Sequence, residues 1–242
     1  MEIAWGVVIL LGCILVVGAI TQSVAGFGLA VVGAPFVVMF APDLMPGAML
    51  AASLPMPLIE VARRWRDIDL TVLSWALAGR ILTTPLGVLV VAVLSPNAVA
   101  VVVGVMVLIA VALSIWAFEV KPGRIPALTA GILTGVSGTA AAIGGPFLAL
   151  VVQHERPARI RATLAGFFVI GATTALAALG LAGELDSTEF VVGLAWTPFV
   201  LAGMLLSIPL RRRVRPDQIR PLVLTVAAVA GVTVIVRATL LA

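Results

Sequence analysis

The stretch Ala98–Ala117, AVAVVVGVMVLIAVALSIWA, decides the fold class because its twenty residues are apolar and carry no charged side chain. A helix of about 20 such residues crosses the ~30 Å hydrocarbon core of a bilayer. The run Gly166–Gly183 has the same character. Across 242 residues, 62% are hydrophobic and 11% are charged, whereas a soluble domain carries roughly 25% charged residues. We therefore predict a single all-α, polytopic integral membrane domain over residues 1–242.

The charged and polar residues exclude several classes of protein. The formal net charge is +4, but the basic residues stand in short loops between apolar runs, where topology and lipid headgroups explain them better than nucleic acid does. The lone cysteine, Cys13, permits no disulfide framework and no thiolate metal site. The sequence has no Ser/His/Asp set, paired-carboxylate site, His-rich cluster or P-loop. We expect no enzyme activity, cofactor, metal site or ATP hydrolysis by this chain.

An internal repeat divides the chain. The motif Gly33-Ala-Pro-Phe36 recurs as Gly144-Gly-Pro-Phe147, and Ile20–Gly26 matches Ile132–Gly138 when one residue is gapped. Internal duplication is a common signature of transporters. The predicted halves are residues 1–120 and 121–242.

The topology depends on whether the apolar segment 126–152 crosses the membrane once or returns. With one crossing, the basic residues of the loops split 5 against 8 between the two faces, which violates the positive-inside rule. With a return, they share one face, here named the basic face, and the opposite, acidic face receives Glu2, Asp43, Glu184, Asp186 and Glu189. We therefore predict a returning hairpin, five segments in each half, and halves that are inverted relative to each other. The predicted segments are 3–22, 27–41, 45–62, 70–93, 97–118, 126–152, 162–182, 190–210 and 217–241.

The hairpin predicts a binding site inside the membrane. We place its turn at Gly135–Thr139 and the matching turn of the first half at Gln22–Gly28, both rich in glycine and hydroxyl groups. Turns that enter from opposite faces would meet near the midplane, where the N-termini of the following helices attract an anion. Alternatively, the small residues only let helices pack closely, with Ser and Thr hydroxyls bonded to backbone carbonyls. The predicted substrate-binding residues are Gln22, Ser23, Gly26, Gly28, Arg80, Thr134, Ser137, Gly138, Thr139, Gly144 and Gly145, and Pro35 and Pro146 are predicted to break or gate the helices that follow.

Arg80 is the most specific single candidate for a binding residue, because it lies near the middle of the predicted span 70–93. A guanidinium at that depth is costly unless it is paired or hydrated. One interpretation is a counter-charge that binds sulfonate or carboxylate oxygens. The other is a partner for a buried carboxylate or for helix carbonyls. Glu60 is the nearest candidate carboxylate, at the end of its own span.

The motifs Gly33-Ala-Pro-Phe36 and Gly144-Gly-Pro-Phe147, together with the two-half arrangement, resemble the sulfite exporter family TauE/SafE over nearly the whole chain. The resemblance implies movement of sulfite, sulfoacetate or another sulfonate across a prokaryotic inner membrane. It also implies that residues of the two turns, Gln22–Gly28 and Thr134–Thr139, line the binding site.

The leading hypothesis is a secondary transporter of a small sulfur-containing or organic anion in the plasma (inner) membrane. A transporter of another solute, such as a metal cation, is one alternative, but the sequence lacks the carboxylates that a cation site needs. A membrane scaffold without transport is the other alternative, and it predicts packed turns with no cavity between them. The expected partners are the anionic substrate and membrane lipids, with no nucleic acid and with homo-oligomers left open.

Overall fold

The computed structural model describes residues 5–25, 28–115, 120–213 and 216–240. Within these ranges the chain forms α-helices and two short 3₁₀ turns, Pro42–Leu44 and Trp65–Asp67, and no strand. The helices are α1 (Trp5–Ala25), α2 (Leu29–Phe40), α3 (Gly47–Ser53), α4 (Pro55–Arg64), α5 (Leu70–Val93), α6 (Pro96–Ile115), α7 (Arg124–Ala140), α8 (Gly145–Val152), α9 (Pro157–Ala182), α10 (Ser187–Ala195), α11 (Thr197–Arg213) and α12 (Pro216–Leu240).

Six segments of the described chain are long and apolar enough to cross a membrane. They comprise α1, α5, α6, α9, the pair α10 and α11, and α12. Large apolar side chains stand on their outer surfaces, such as Leu82, which is 73% exposed, and Leu181, which is 91% exposed. Such surfaces suit lipid and not water. The prediction of an all-α, polytopic membrane protein is confirmed.

The predicted segment 126–152 is two helices, α7 and α8, separated by Ala141–Gly144. With 17 and 8 residues, they measure about 25 and 12 Å at 1.5 Å per residue, each less than the ~30 Å of the hydrocarbon core. The first half contains the matching pair α1 and α2, interrupted between Ala25 and Leu29.

The predicted turn at Gly135–Thr139 is placed too early, because these residues belong to α7. The Ser137 hydroxyl donates to the Leu133 carbonyl one turn back, which keeps the helix intact. The glycines serve close packing instead, since Gly131 lies against the Ala76 carbonyl of α5. Small residues at helix interfaces allow this approach of backbones in membranes.

Helix directions follow from these contacts. Gly79 of α5 lies against the Leu128 carbonyl of α7, and Gly87 lies against the Gly135 carbonyl, so α5 and α7 run parallel. Near the start of α9, the Arg159 Nη1 atom lies 4.0 Å from the Oδ2 atom of Asp69, the N-cap residue of α5. Helices α5, α7 and α9 therefore begin on one face, the basic face, and the chain that leaves it with α7 returns to it with α8.

A second parallel pair is α1 and α11. The Trp196 indole Nε1 donates to the Val8 carbonyl at 2.9 Å, and Gly203 lies against the Val16 carbonyl. Near the start of α10, the Glu189 Oε2 atom accepts a hydrogen bond from the Gly47 N–H of α3 at 2.7 Å. Since α9 crosses the molecule between the basic face and α10, helices α1, α3 and α10 run away from the acidic face.

Candidate functional site

The two helix interruptions line one cavity of about 40 Å³, here named the central cavity. The end of α1 and the start of α2 form its wall from the first half, and the segment between α7 and α8 forms its wall from the second half. The residues of these walls are Gln22, Gly28, Leu29, Ala30, Val31, Ala142, Ile143, Gly144, Gly145 and Pro146, to which Ser53 and Phe168 are added. The interruptions of both halves therefore meet at one place inside the helical bundle.

In the first half, Gln22 shapes the start of α2. Its amide Oε1 accepts a hydrogen bond from the Leu29 N–H at 3.1 Å, so the NH₂ group is what Gln22 can offer the cavity. Gly28 has a φ of 145°, a conformation that only glycine adopts readily. Pro35 lies inside α2 and has no N–H, which deprives the carbonyl of Val31 of its helical donor.

In the second half, backbone hydrogen bonds hold the interruption. The Ser137 carbonyl accepts from the N–H groups of Ala141 and Ile143, at 2.9 and 3.3 Å, and Ala142 has a φ of 57°. The N-cap residue of α8, Gly144, has no side chain to cap that helix. The start of α8 therefore receives no side-chain cap from its N-cap residue, and this partially positive helix end lies at the cavity that Gly144, Gly145 and Pro146 line.

Pro146 occupies the first turn of α8. Proline there removes no helical hydrogen bond, so the break in the helix precedes Pro146 and lies at Ala141–Gly144. Thr134 supports the same corner, since its hydroxyl donates to the Ala130 carbonyl at 2.7 Å and lies 3.2 Å from the Gly144 carbonyl oxygen.

A second cavity, of about 60 Å³ and here named the vestibule, adjoins the central cavity toward the basic face. Gln22 and Phe168 line both cavities. The polar part of the vestibule comprises Ser23, Glu60 and Arg161, and Met56, Pro57, Leu164, Ala165 and Met204 form its apolar walls. Gln22 and Phe168 thus form a common wall between the two cavities, with the vestibule on the side of the basic face.

Arg80 is 3% exposed within α5. Its guanidinium carbon lies 4.8 Å from the ring centroid of Phe167, a cation–π geometry, and the group lies against Gly138 of α7 and Gly171 of α9. Among the described residues no acidic side chain forms an ion pair with it, and its Nε has no hydrogen-bond partner. Arg80 lines neither cavity and is separated from the central cavity by α7.

The structure brings some of the predicted binding residues together. Gln22, Gly28, Gly144 and Gly145 line the central cavity, and Ser23 lines the vestibule with Gln22. Gly138 lies beside Arg80, and Gly26 falls outside the described residues.

The hydroxyl-bearing residues of α7 line neither cavity. The hydroxyl groups of Thr134 and Ser137 donate to carbonyls of their own helix, as packed helices require. Thr139 packs against Gly87 of α5, and its buried Oγ1 has no partner.

Sequence reasoning did not single out most residues that line the two cavities, among them Ser53, Ala142, Arg161 and Phe168, and it considered Glu60 only as a partner for Arg80. The motif Pro55-Met-Pro57 carried a signal for Ser53, because α3 ends there before a proline start. Phe168 had no signal, since it is one apolar residue of an apolar helix.

Comparisons with known proteins bear on the whole chain. The search of curated proteins and the search of solved structures returned no match. A family model described as sulfite exporter TauE/SafE matches residues 10–234. That match covers nearly the whole chain, including all residues that line the two cavities, and the chain therefore belongs to the sulfite exporter TauE/SafE family.

Proposed function

We propose that this chain is a secondary transporter that moves a small sulfur-containing or organic anion, such as sulfite, sulfoacetate or another sulfonate, across the inner membrane of a prokaryote. The observation that carries the proposal is the central cavity, which both helix interruptions line. The starts of α2 and α8 lie at this cavity, and helix N-termini stabilise negative charge. Membership of a sulfite exporter family supports the substrate class.

The size and lining of the cavity favour a small ligand. A volume of about 40 Å³ holds a few water molecules, since one needs about 10–15 Å³ on this measure. That is the scale of a small oxyanion. Gln22 offers an amide NH₂ group and the start of α8 offers backbone N–H groups, both of which donate to oxygen.

Positive charge without a partner supports an anion over a cation. Arg80 is buried and has no acidic partner among the described residues, so its field acts on the central cavity through the low-dielectric packing of α7. The part of the chain that the structure describes contains no group of three His, Cys, Asp or Glu side chains able to hold a metal ion.

Alternating access would come from movement of the two halves. Parallel packing of α5 with α7 and of α1 with α11, in pairs that start from opposite faces, supports the inverted arrangement of residues 1–120 and 121–242. In transporters of this kind the halves rock around a site between them.

Flux through proteoliposomes tests the proposal. We expect wild-type protein to give saturable sulfite or sulfonate flux above that of protein-free vesicles. Ala30→Leu adds three carbon atoms to the wall of a cavity of about 40 Å³. It should reduce the flux about tenfold or more, because the larger side chain occupies space that the anion needs; a tenfold change corresponds to about 1.4 kcal/mol of binding free energy. Ala92→Leu on the exposed surface of α5 is the matched control and should transport normally.

Two results would contradict the proposal. One is an unchanged flux and KM in Ala30→Leu. The other is thermal stabilisation of the purified protein by divalent cations and by none of the sulfite, sulfonate and carboxylate panel, since stabilisation by a ligand follows its binding.

A further inference from the structure

The vestibule contains polar groups that the central cavity does not explain. Ser23 is 7% exposed, and its Oγ is buried without a hydrogen-bond partner. It faces a cavity of about 60 Å³ that Arg161 of α9 also lines. A buried hydroxyl without a partner is costly in a folded protein, so the position of Ser23 points to a ligand that it can bond.

A carboxylate already occupies the arginine side of the vestibule. Two guanidinium groups approach the Glu60 carboxylate: Arg64 Nε lies 3.1 Å and Arg161 Nε lies 3.6 Å from its Oε1 atom. Arg64 also lies 4.0 Å, through its Nη1 atom, from the Oδ2 atom of Asp67, which balances its charge. Glu60 is therefore the counter-ion of Arg161, and an anion that replaces Glu60 there meets one uncompensated positive charge. No donor is aligned with that oxygen for a hydrogen bond, so charge alone holds the carboxylate near both arginines.

We propose that the vestibule is a second binding site for a small oxyanion, held by Arg161 and Ser23, and that the Glu60 carboxylate occupies the place of the anion while the site is empty. The proposal rests on the proposed function, because the ligand belongs to the same class as the substrate. An arriving anion displaces Glu60 from Arg161, which leaves Glu60 paired with Arg64.

Displacing Glu60 from Arg161 costs little free energy. The side chains of Arg161 and Glu60 are 36% and 23% exposed, and ion pairs at such partly exposed sites contribute little to stability. Phe168 and Gln22, which line both cavities, separate this site from the central cavity. The vestibule site would collect the anion from the basic face, or release it there.

Titration calorimetry of the purified protein with sulfite tests the proposal, and the two members of one ion pair should change the affinity in opposite directions. Glu60→Gln removes the competitor and should lower Kd about twofold to fivefold. Arg161→Gln removes the ligand charge and should raise Kd about tenfold or more. Ser23→Ala should raise Kd about fivefold, and the double variant of Glu60 and Arg161 should behave like Arg161→Gln.

Glu155→Gln and Arg159→Gln are the matched controls, because these residues form a 3.2 Å ion pair on the same face and do not line the vestibule. Their Kd should equal that of wild type. If Glu60→Gln and Arg161→Gln both weaken binding, the pair is a structural tie and the proposal is overturned.

Flux separates this inference from the function on which it rests. Suppose that wild-type protein transports the anion, that Ala30→Leu abolishes this flux, and that the Arg161 and Glu60 variants keep the wild-type Kd. The vestibule site is then overturned, and the transport function stands. A wild-type protein that neither binds nor transports any anion of the panel overturns both.

Discussion

At the scale of single residues, Arg80 shows how a charge can be retained inside a membrane protein. Phe167 supplies a ring face, and Gly138 and Gly171 leave room for the guanidinium, but no described carboxylate neutralises it. An unpaired buried charge destabilises the fold. Its presence therefore favours a function over a structural role.

Arg80→Met separates stability from transport, because methionine keeps much of the volume and removes the charge. We expect an equal or higher thermal stability, since the desolvation cost disappears, and a flux about tenfold lower. The flux falls because the guanidinium attracts the bound anion by about 1–2 kcal/mol at an effective dielectric constant of about 20.

Melting temperature in detergent and sulfite flux in proteoliposomes are the two measurements. Arg237→Met, at an exposed arginine near the end of α12, is the control and should leave both unchanged. A lower melting temperature with intact flux would show that Arg80 is a structural residue.

At the scale of elements, the predicted turn Gln22–Gly28 overlaps the interruption between α1 and α2, whereas the predicted turn of the second half is misplaced. In the second half the interruption lies at Ala141–Gly144, next to the motif Gly144-Gly-Pro-Phe147. The glycines and hydroxyls of Gly135–Thr139 look equally like a turn, yet they lie in α7. Whether a glycine ends a helix or packs it depends on the neighbouring helix, here α5, which local sequence does not contain.

The contact between α10 and α3 joins the two halves near the acidic face. Glu189 accepts the Gly47 N–H and also the N–H of Asp186 in a capping box. Glu189→Ala should lower the free energy of unfolding by about 1–3 kcal/mol, because the buried Gly47 N–H loses its partner.

Thermal unfolding in detergent measures this loss. Glu189→Gln retains an acceptor oxygen and should lose less than Glu189→Ala. Glu184→Ala, on the same face, is the control and should be close to wild type. Equal stability of Glu189→Ala and Glu184→Ala would mean that the bond to Gly47 does not contribute.

At the scale of the whole molecule, the distribution of basic residues and the packing of the helices indicate the same topology. The ion pairs Arg161–Glu60 and Arg159–Asp69 connect the start of α9 with the end of α4 and the start of α5. These segments carry many of the basic residues. The returning pair of α7 and α8 is what allows all of these loops to share a face.

Labelling of single cysteines tests this topology in a Cys13→Ser background. Asp67→Cys and His154→Cys should react with an impermeant maleimide from one side of the membrane, and Ser95→Cys and Ser187→Cys from the other. All four positions are exposed. Right-side-out and inside-out vesicles give the two measurements, and labelling of Asp67→Cys and His154→Cys from opposite sides would show that 126–152 crosses once.

The sequence by itself determined the all-α, polytopic membrane class, and it predicted two halves, a returning hairpin and a site near Gln22, Gly28 and Gly144. Each depends on composition, repetition or charge, which are properties of the chain before it folds. Only the tertiary structure decided that Arg80 lies behind α7, that Phe168 lies between two cavities, and that Glu60 meets Arg161. These relations depend on which helix surfaces pack together, and segments far apart in sequence supply the two sides of each contact.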